Sequence, residues 1–363
     1  MKILVCSTSY PTLDGKRAMN YVHSRCLYYV QNGFDVVVLN FSCKYKYQYE
    51  GINVISINEY SVSPTEADII ICHAPNIKNH YFFLKRYGKL YEKIIFCFHG
   101  HEVLHINNYY PKPFEYKYNS FKYFFQKYYD DYKIVLWKKY FINNRNKCYF
   151  IFVSDWLKNA FFKEFSLEES KFDDKVEVIS NGVGYFFEQN TYKKKNRKYD
   201  FITIRQYIDE KNYCIDVVRK LALLYPAYSF CLIGKGQYFN HYSLPNNIDF
   251  IEKELTHIEM KEYIDSAKFA LLPTRHDTQG LMACELATYG IPLITSDIPI
   301  CKEIFDTCPN VFFINNNHPS LDFIDCAFSF PTQKWTKYFA KNTILKEISF
   351  IEGVTKEKGK IKK

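Results

Sequence analysis

Between Phe269 and Glu303 the chain reads FALLPTRHDTQGLMACELATYGIPLITSDIPICKE. Two carboxylates, Asp277 and Glu285, stand eight positions apart, with Thr278, Gln279, Gly280 and Leu281 between them. Carboxylates accept hydrogen bonds from hydroxyls. A glycine at a helix start lets backbone N–H groups approach an anion that the helix dipole also favours. One end of this stretch therefore suits a phosphate and the other suits sugar hydroxyls. Arg205 and Lys211 flank one strand-to-helix loop and can converge on a diphosphate. The competing reading of that pair is two solvated surface cations. Gly234-Lys235-Gly236 follows another strand and permits close backbone approach to a ligand. His99-Gly100-His101-Glu102 closes a further strand. Sugar contact, a hydrogen-bonded turn and a metal site all fit that tetrapeptide, although His-Gly-His is not a usual zinc spacing.

The elements that must position these residues are strands alternating with helices. Phe269–Pro273 and Leu293–Thr295 read as strands around a loop and a helix opened by Gly280, a β-α-β unit. Such sheets bind ligands at the carboxyl ends of their strands. KILVC at 2–6, DVVVLNF at 35–41, DIIIC at 68–72, KIIFCF before His99, and Tyr149–Val153 read as buried strands in the first half, with a short one at Ile52–Ile57. A helix over 17–32 ends at Gly33, a C′ glycine. This opening lacks G-x-G-x-x-G, which argues against a dinucleotide cofactor. Ser154 caps the next helix, and Lys175–Ser180 is a strand running into Asn181-Gly182-Val183. A polar, basic run over 189–198 reads as a linker. In the second half Tyr199–Ile204 is a strand ended by Arg205, and Lys211 opens a helix over 211–224. Tyr228–Ile233 is the next strand, Thr256 with Glu259 forms a capping box, and Trp335–Ile351 is the last helix before a basic tail. Both halves share one plan, so the fold class is α/β: two Rossmann-like domains facing each other across a cleft.

Composition narrows the class. The chain has 363 residues, 47% of them hydrophobic, which suits two globular domains at about one per 150 residues. The net charge of +9 fits anionic substrates or an anionic membrane surface. It is not clustered as in a dedicated nucleic-acid binder, and nucleic acid is excluded as a partner. The 12 cysteines show no C-x-x-C or zinc-finger spacing and read as reduced, buried thiols of a cytoplasmic protein. No signal peptide and no spanning apolar stretch is visible. Residues 112–141 interleave Lys117, Lys122, Lys127, Lys133, Lys138 and Lys139 with aromatics. That helix suits the surface of an anionic membrane, hence peripheral placement at its inner face. The competing reading packs the aromatics on the domain core and leaves the lysines in solvent.

Together these residues resemble the donor-binding domain of GT-B glycosyltransferases, nearest to the retaining family 4. Asn181-Gly182-Val183 resembles the P-N-G-V of the domain junction, and Asp277 to Glu285 resembles the E-x7-E motif. Arg205 with Lys211 resembles the Arg/Lys pair of that family, and Gly234-Lys235-Gly236 its G-x-G loop. In the first half, Tyr21-Val22-His23 and His99-Gly100 match more weakly. The chain departs at Asp277, one methylene shorter than the usual acid, and reads Asp277-Thr278-Gln279-Gly280 where E-G-F-G is usual. It also lacks a glycine-rich acceptor loop near Gly15, and Arg205 and Lys211 are spaced slightly wider than usual.

The resemblance implies an N-terminal acceptor domain over 1–185, a nucleotide-sugar domain over 199–334, and a closing helix within 335–363 that crosses back to the N-terminal domain. It implies a nucleotide-diphosphate sugar as donor, no separate cofactor and no metal. The acceptor is then a glycan or lipid-linked glycan, and the transfer retains configuration. Arg205, Lys211 and the amides of Gly280 and Leu281 would stabilise the leaving diphosphate. Asp277 would contact the sugar and Glu285 the ribose. His99, with His101 as runner-up, would approach the transferred group. Two other classes compete: a nucleotide-sugar epimerase-like enzyme on the same plan, and an inactive nucleotide-sugar binder.

Overall fold

The computed structural model describes residues 1–15, 18–193, 198–324 and 333–356. The chain forms two units, one of residues 1–105, 128–182 and 340 onward, the other of residues 106–127 and 183–339.

In the first unit β1 (Lys2–Ser7), β2 (Asp35–Asn40), β3 (Tyr47–Tyr49), β4 (Ile52–Ile55), β5 (Ile69–His73), β6 (Ile94–Phe98), β7 (Cys148–Phe152) and β8 (Val176–Val178) form one sheet. Its order is β3-β4-β2-β1-β5-β6-β7-β8, parallel throughout except for β3 against β4. Every residue of β5, β6 and β7 is buried, as expected of strands covered on both faces. The helix expected over 17–32 spans Asn20–Gln31, and Arg17 lies outside the described residues. It ends as predicted: the Gly33 amide donates to the Val30 carbonyl and the Phe34 amide to Tyr29, a Schellman closure. Ile57 does not extend a strand. It opens a helix, Ile57–Val62, under a Ser56/Glu59 capping box. Within this unit the helix Ile344–Lys356 adds Ile344, Ile348, Ile351 and Val354 to the sheet's core. Its Glu347, fully buried, is ion-paired to Arg25 at 2.8 Å.

In the second unit β9 (Tyr199–Tyr207), β10 (Phe230–Lys235), β11 (Ile248–Ile251), β12 (Ala267–Leu271), β13 (Leu293–Ser296) and β14 (Val311–Ile314) form a parallel sheet in the order β11-β10-β9-β12-β13-β14. The strand order reverses between β9 and β12, so the loops after these two strands open at the switch point, where α/β sheets bind ligands. Those loops carry Lys211 and Asp277. Residues 106–127 group with this unit, and Phe114 lies buried in its core.

The structure differs from the sequence expectations at several boundaries. Arg205 lies inside β9 and does not end it, because Tyr207 still pairs with Lys235. The segment from Lys211 is a single 3-10 turn, Lys211–Tyr213, and the α-helix starts only at Ile215, after Cys214 turns left-handed (φ 55°). Trp335 opens no helix. It stays in a loop, packed against Phe305 and Tyr338, and the last α-helix begins at Ile344. The short strands β3, β11 and β14 have no clear sequence signal. Of the basic run over 189–198, residues 194–197 lie outside the described residues, as does the tail from 357.

The basic-aromatic stretch forms the helix Ser120–Asn143. Trp137, Phe141 and Lys133 are buried, whereas Phe121, Phe124, Phe125, Tyr128, Tyr129 and Tyr132 are exposed. Lys133 is therefore not on a solvent-facing basic stripe. Its ammonium meets Asp130 at 2.7 Å and donates to the carbonyls of His101 and Leu104.

Candidate active site

The second unit holds the loops of the switch point. Arg205 is almost fully buried, and its Nη2 donates to the Pro273 carbonyl at 2.8 Å. The guanidinium stacks 4.8 Å from the Tyr213 ring centroid, and its Nε–H finds no acceptor among the described residues. Burial pulls its pKa down while the carboxylate of Asp277 pulls it up. At physiological pH it remains a cation.

Asp277 sits at the start of the helix Leu281–Tyr289. Its Oδ1 accepts from the backbone amides of Thr278 (2.8 Å), Gln279 (3.2 Å) and Gly280 (2.7 Å). Gly280 has φ 72°, and a Cβ there would lie 3.1 Å from Asp277 Oδ2. A glycine therefore satisfies both the backbone turn and the acid's approach. The sequence reading gave the Gly280 amide to a phosphate, but here it is held by Asp277. The shorter side chain brings the acid onto its own loop's amides. With Arg205, Thr274 and Cys301 it lines a cavity of only about 10 Å³, scarcely room for a water.

Glu285, one turn further along that helix, is half-buried. Burial raises its pKa to about 8, against the opposing pull of the Gly184 amide. A carboxyl raised that far favours its protonated form near neutral pH, in which it donates as well as accepts.

Lys211 is half-buried, with its ammonium 5.7 Å from the Phe114 ring centroid. No acid pairs with it among the described residues. Its loop is held by a residue the sequence reading left without a role. Arg275 grips Asp216 with two hydrogen bonds, 2.8 and 2.6 Å, and donates to the Lys211 carbonyl at 2.7 Å. The Arg275 amide donates to the Asn212 carbonyl at 2.9 Å, and Asn212 Nδ2 to the His276 carbonyl at 2.7 Å. The two switch-point loops are thus stitched together. No sequence signal exposes this, because Arg275 and Asp216 lie 59 positions apart. His276 is held near pKa 4 by burial, with its ring 4.3 Å from that of Tyr110.

Gly234 packs against backbone and Gly236 against the side chains of Asp209 and Ile208. A Cβ on Gly234 would fall 2.3 Å from the Arg205 carbonyl, and one on Gly236 would fall 2.7 Å from Asp209 Oδ2. These glycines let β10 and its loop close on the backbone that carries Arg205.

In the first unit, His99 follows β6 at the edge of a tightly tied turn. Its amide donates to Glu102 Oε1, and a 3-10 turn follows over His101–Val103. Its ring lies 4.6 Å from that of Tyr21, and its Nε2 lies 3.2 Å from His73 Nδ1. Burial, then the charge of Arg25, holds the His99 pKa well below the usual range, so the ring is neutral. His101 is exposed and its carbonyl, not its ring, is used by Lys133. His73, Cys97 and Glu347 place ligand-type atoms within 4.8 Å of one another. Glu347 is already committed to Arg25 and to the Tyr29 hydroxyl.

Two parallel-sheet units with this strand-end chemistry define a GT-B architecture. Solved structures agree on the fold. Sucrose-phosphate synthase from Thermosynechococcus elongatus matches with a TM-score of 0.65 at 11% identity, over 99% of this chain and 98% of that one. A structure described as trehalose-6-phosphate from E. coli bound with UDP-2-fluoro glucose matches with a TM-score of 0.58 at 11% identity, over 98% of this chain and 96% of that one. A glycosyltransferase from Rickettsia africae matches at 0.57 and 13%, over 98% and 96%. Residues 184–321 match the family described as glycosyl transferases group 1, and at that level the resemblance read from the sequence holds. An O-antigen biosynthesis glycosyltransferase of Escherichia coli, WclY, is 35% identical over 80 residues, 22% of this chain. The chain spans about a fifth of that relative's length, 21%.

Proposed function

We propose that the protein transfers a sugar from a nucleotide-diphosphate sugar to a glycan or lipid-linked glycan. The reading carries over from family 4 retention of configuration and independence from metal. One observation carries it: Arg205 and Lys211 stand on either side of a loop at the switch point of the second sheet, and among the described residues neither is ion-paired to a carboxylate. Two such cations neutralise charge that develops on a departing diphosphate, often the largest catalytic contribution. Donor binding displaces Asp277 from the loop amides of Thr278, Gln279 and Gly280, which frees that of Gly280 for phosphate and the acid for the sugar. Protonated Glu285 both donates to and accepts from ribose hydroxyls. His99, neutral, approaches the transferred group.

The Escherichia coli relative is named for O-antigen biosynthesis, which supports a polysaccharide acceptor. No helix among the described residues is long and apolar enough to cross a membrane. The exposed aromatics of the helix Ser120–Asn143, with Lys122 and Lys127 between them, support peripheral binding to anionic lipid at an inner membrane face. Salt-sensitive flotation of the protein with anionic vesicles tests that part, and flotation equal to that with neutral vesicles discards it.

The donor assignment is tested by thermal shift against a panel of nucleoside-diphosphate sugars, followed by transfer assays that read the anomer formed. A rise in Tm with at least one donor is expected. No rise with any would overturn the assignment. The grip of Asp277 on three amides favours a second reading, a donor binder without transfer. Donor-induced stabilisation without hydrolysis or transfer, restored to turnover by Asp277→Glu, would select it.

A further inference from the structure

The second unit contains a larger cavity that shares only Lys211 with the donor chemistry. It measures about 310 Å³, within the range of small-ligand sites. One wall is the arm of residues 106–127 and the other is the loop Glu210-Lys211-Asn212. The arm is pinned. Phe114 is buried in the unit's core, and the Tyr116 hydroxyl donates to Asp209 at 2.9 Å while its ring stacks 4.0 Å from His241. Lys117 meets Glu210 at 2.7 Å across the cavity's rim. The wall is therefore built into the fold.

Its lining has a definite chemistry. Tyr110, Tyr118 and Tyr123 supply ring faces, and Asn107, Asn119 and Gln126 supply amides. Lys122 and Lys211 supply ammonium groups with no acid partner among the described residues, and the single acid, Glu210, is taken by Lys117. Aromatic faces with side-chain amides suit the mixed apolar and hydroxylated faces of a sugar ring. Lys122, with Lys211 shared at the donor edge, favours negative charge on it.

We propose that this cavity is a binding site for an anionic saccharide, a sugar unit carrying a phosphate or carboxylate. The occupant is the acceptor end of the reaction proposed above, on which this assignment of role rests. Lys211 borders both the cavity and the donor loop, so a unit seated here lies beside the group that holds the diphosphate. A free inorganic anion shares only half of this chemistry: it meets the lysines and leaves the tyrosine faces unused.

The test is calorimetric titration of the full chain with glucose 6-phosphate, glucuronic acid, glucose and inorganic phosphate, repeated on Lys122→Ala and Tyr118→Ala. Both side chains are exposed enough for the variants to fold, which circular dichroism checks. Either anionic sugar is expected to bind at least tenfold more tightly than glucose or phosphate, and each variant to lose that affinity about tenfold. The stabilisation by nucleotide sugars is expected to persist in both variants. Loss of the donor shift in Lys122→Ala or Tyr118→Ala would make the cavity a nucleotide subsite and overturn the proposal. So would equal binding of glucose and anionic sugar, affinity for both anionic sugars unaffected by Tyr118→Ala, or no binding of any probe. Donor stabilisation abolished by Arg205→Ala but untouched by the cavity variants keeps the donor reading standing even where the saccharide reading fails.

Discussion

The two strand-end sites treat their charges in opposite ways. In the first unit, Arg25 is locked to Glu347, Lys133 to Asp130, and the amide of His99 to Glu102. The two buried cations near the histidines each have an acid partner, Glu102 answers only a backbone amide with its second oxygen left unpaired among the described residues, and burial keeps His73 and His99 neutral. In the second unit, Arg205 has only backbone and ring partners, and Lys211 has no acid partner among the described residues. An acid does approach Arg205, but Asp277 spends its hydrogen bonds on the amides of its own loop, Thr278 to Gly280. A site that leaves cations unanswered is one whose counter-charge comes with a ligand. A site that answers its buried cations from within is a fixed frame.

The comparison breaks most visibly at Arg25. Arg25→Ala leaves Glu347 charged and buried without its partner, and is expected to cost about 3–5 kcal/mol in urea unfolding. Replacing both, as Arg25→Met with Glu347→Leu, should recover much of the loss. If Arg25→Ala alone unfolds at the parent's urea midpoint, the locked frame is not what holds the closing helix. Arg205→Ala should do the reverse: little change in stability and a fall of about 100-fold in kcat, the scale of one transition-state donor. Arg205→Lys should recover only part of it, since a point charge cannot both stack on Tyr213 and reach the Pro273 carbonyl. Lys211→Ala is expected to lose about tenfold in kcat/KM with an unchanged unfolding midpoint. Undiminished turnover in both variants removes the diphosphate assignment.

The smallest effect concerns Glu285. Its pKa near 8 lies above the usual 4.5, so the native state holds a proton that the unfolded chain has released between those pH values. Stability therefore falls as pH rises through that window and is not penalised below it. Glu285→Gln cancels this term. Its Tm should exceed the parent's by a few degrees at pH 8, with the gap closing toward pH 4.5. A gap that is the same at both ends would mean the carboxyl is not the titrating group.

Much of the frame was legible in the sequence because it is local. Buried strands announced themselves as apolar runs, Gly33 closed its helix as a C′ glycine should, and the Thr256/Glu259 box capped the predicted helix. The short strands β3, β11 and β14 escaped because three or four residues carry too little periodicity. The helix expected at Lys211 failed for a different reason: Cys214 turns left-handed, a cost repaid by Arg275 from a loop far along the chain. In the aromatic helix, residue types suggested either a membrane face or a core face. Packing divided them, with Trp137 and Phe141 inside and Phe121 to Tyr132 largely outside.

By itself the sequence determined the α/β plan, the order of the elements, and which loops carry acids, cations and glycines. Those follow from periodicity and backbone preference, which act over a few residues. Only the tertiary structure decided what each group is free to do. It turned Gly234 toward the chain's own backbone, folded Asp277 onto the Gly280 amide expected to meet phosphate, and left Lys211 open beside an arm that sequence order assigns to the other half. Burial and partner choice are properties of residues brought together from distant positions, so no local pattern encodes them.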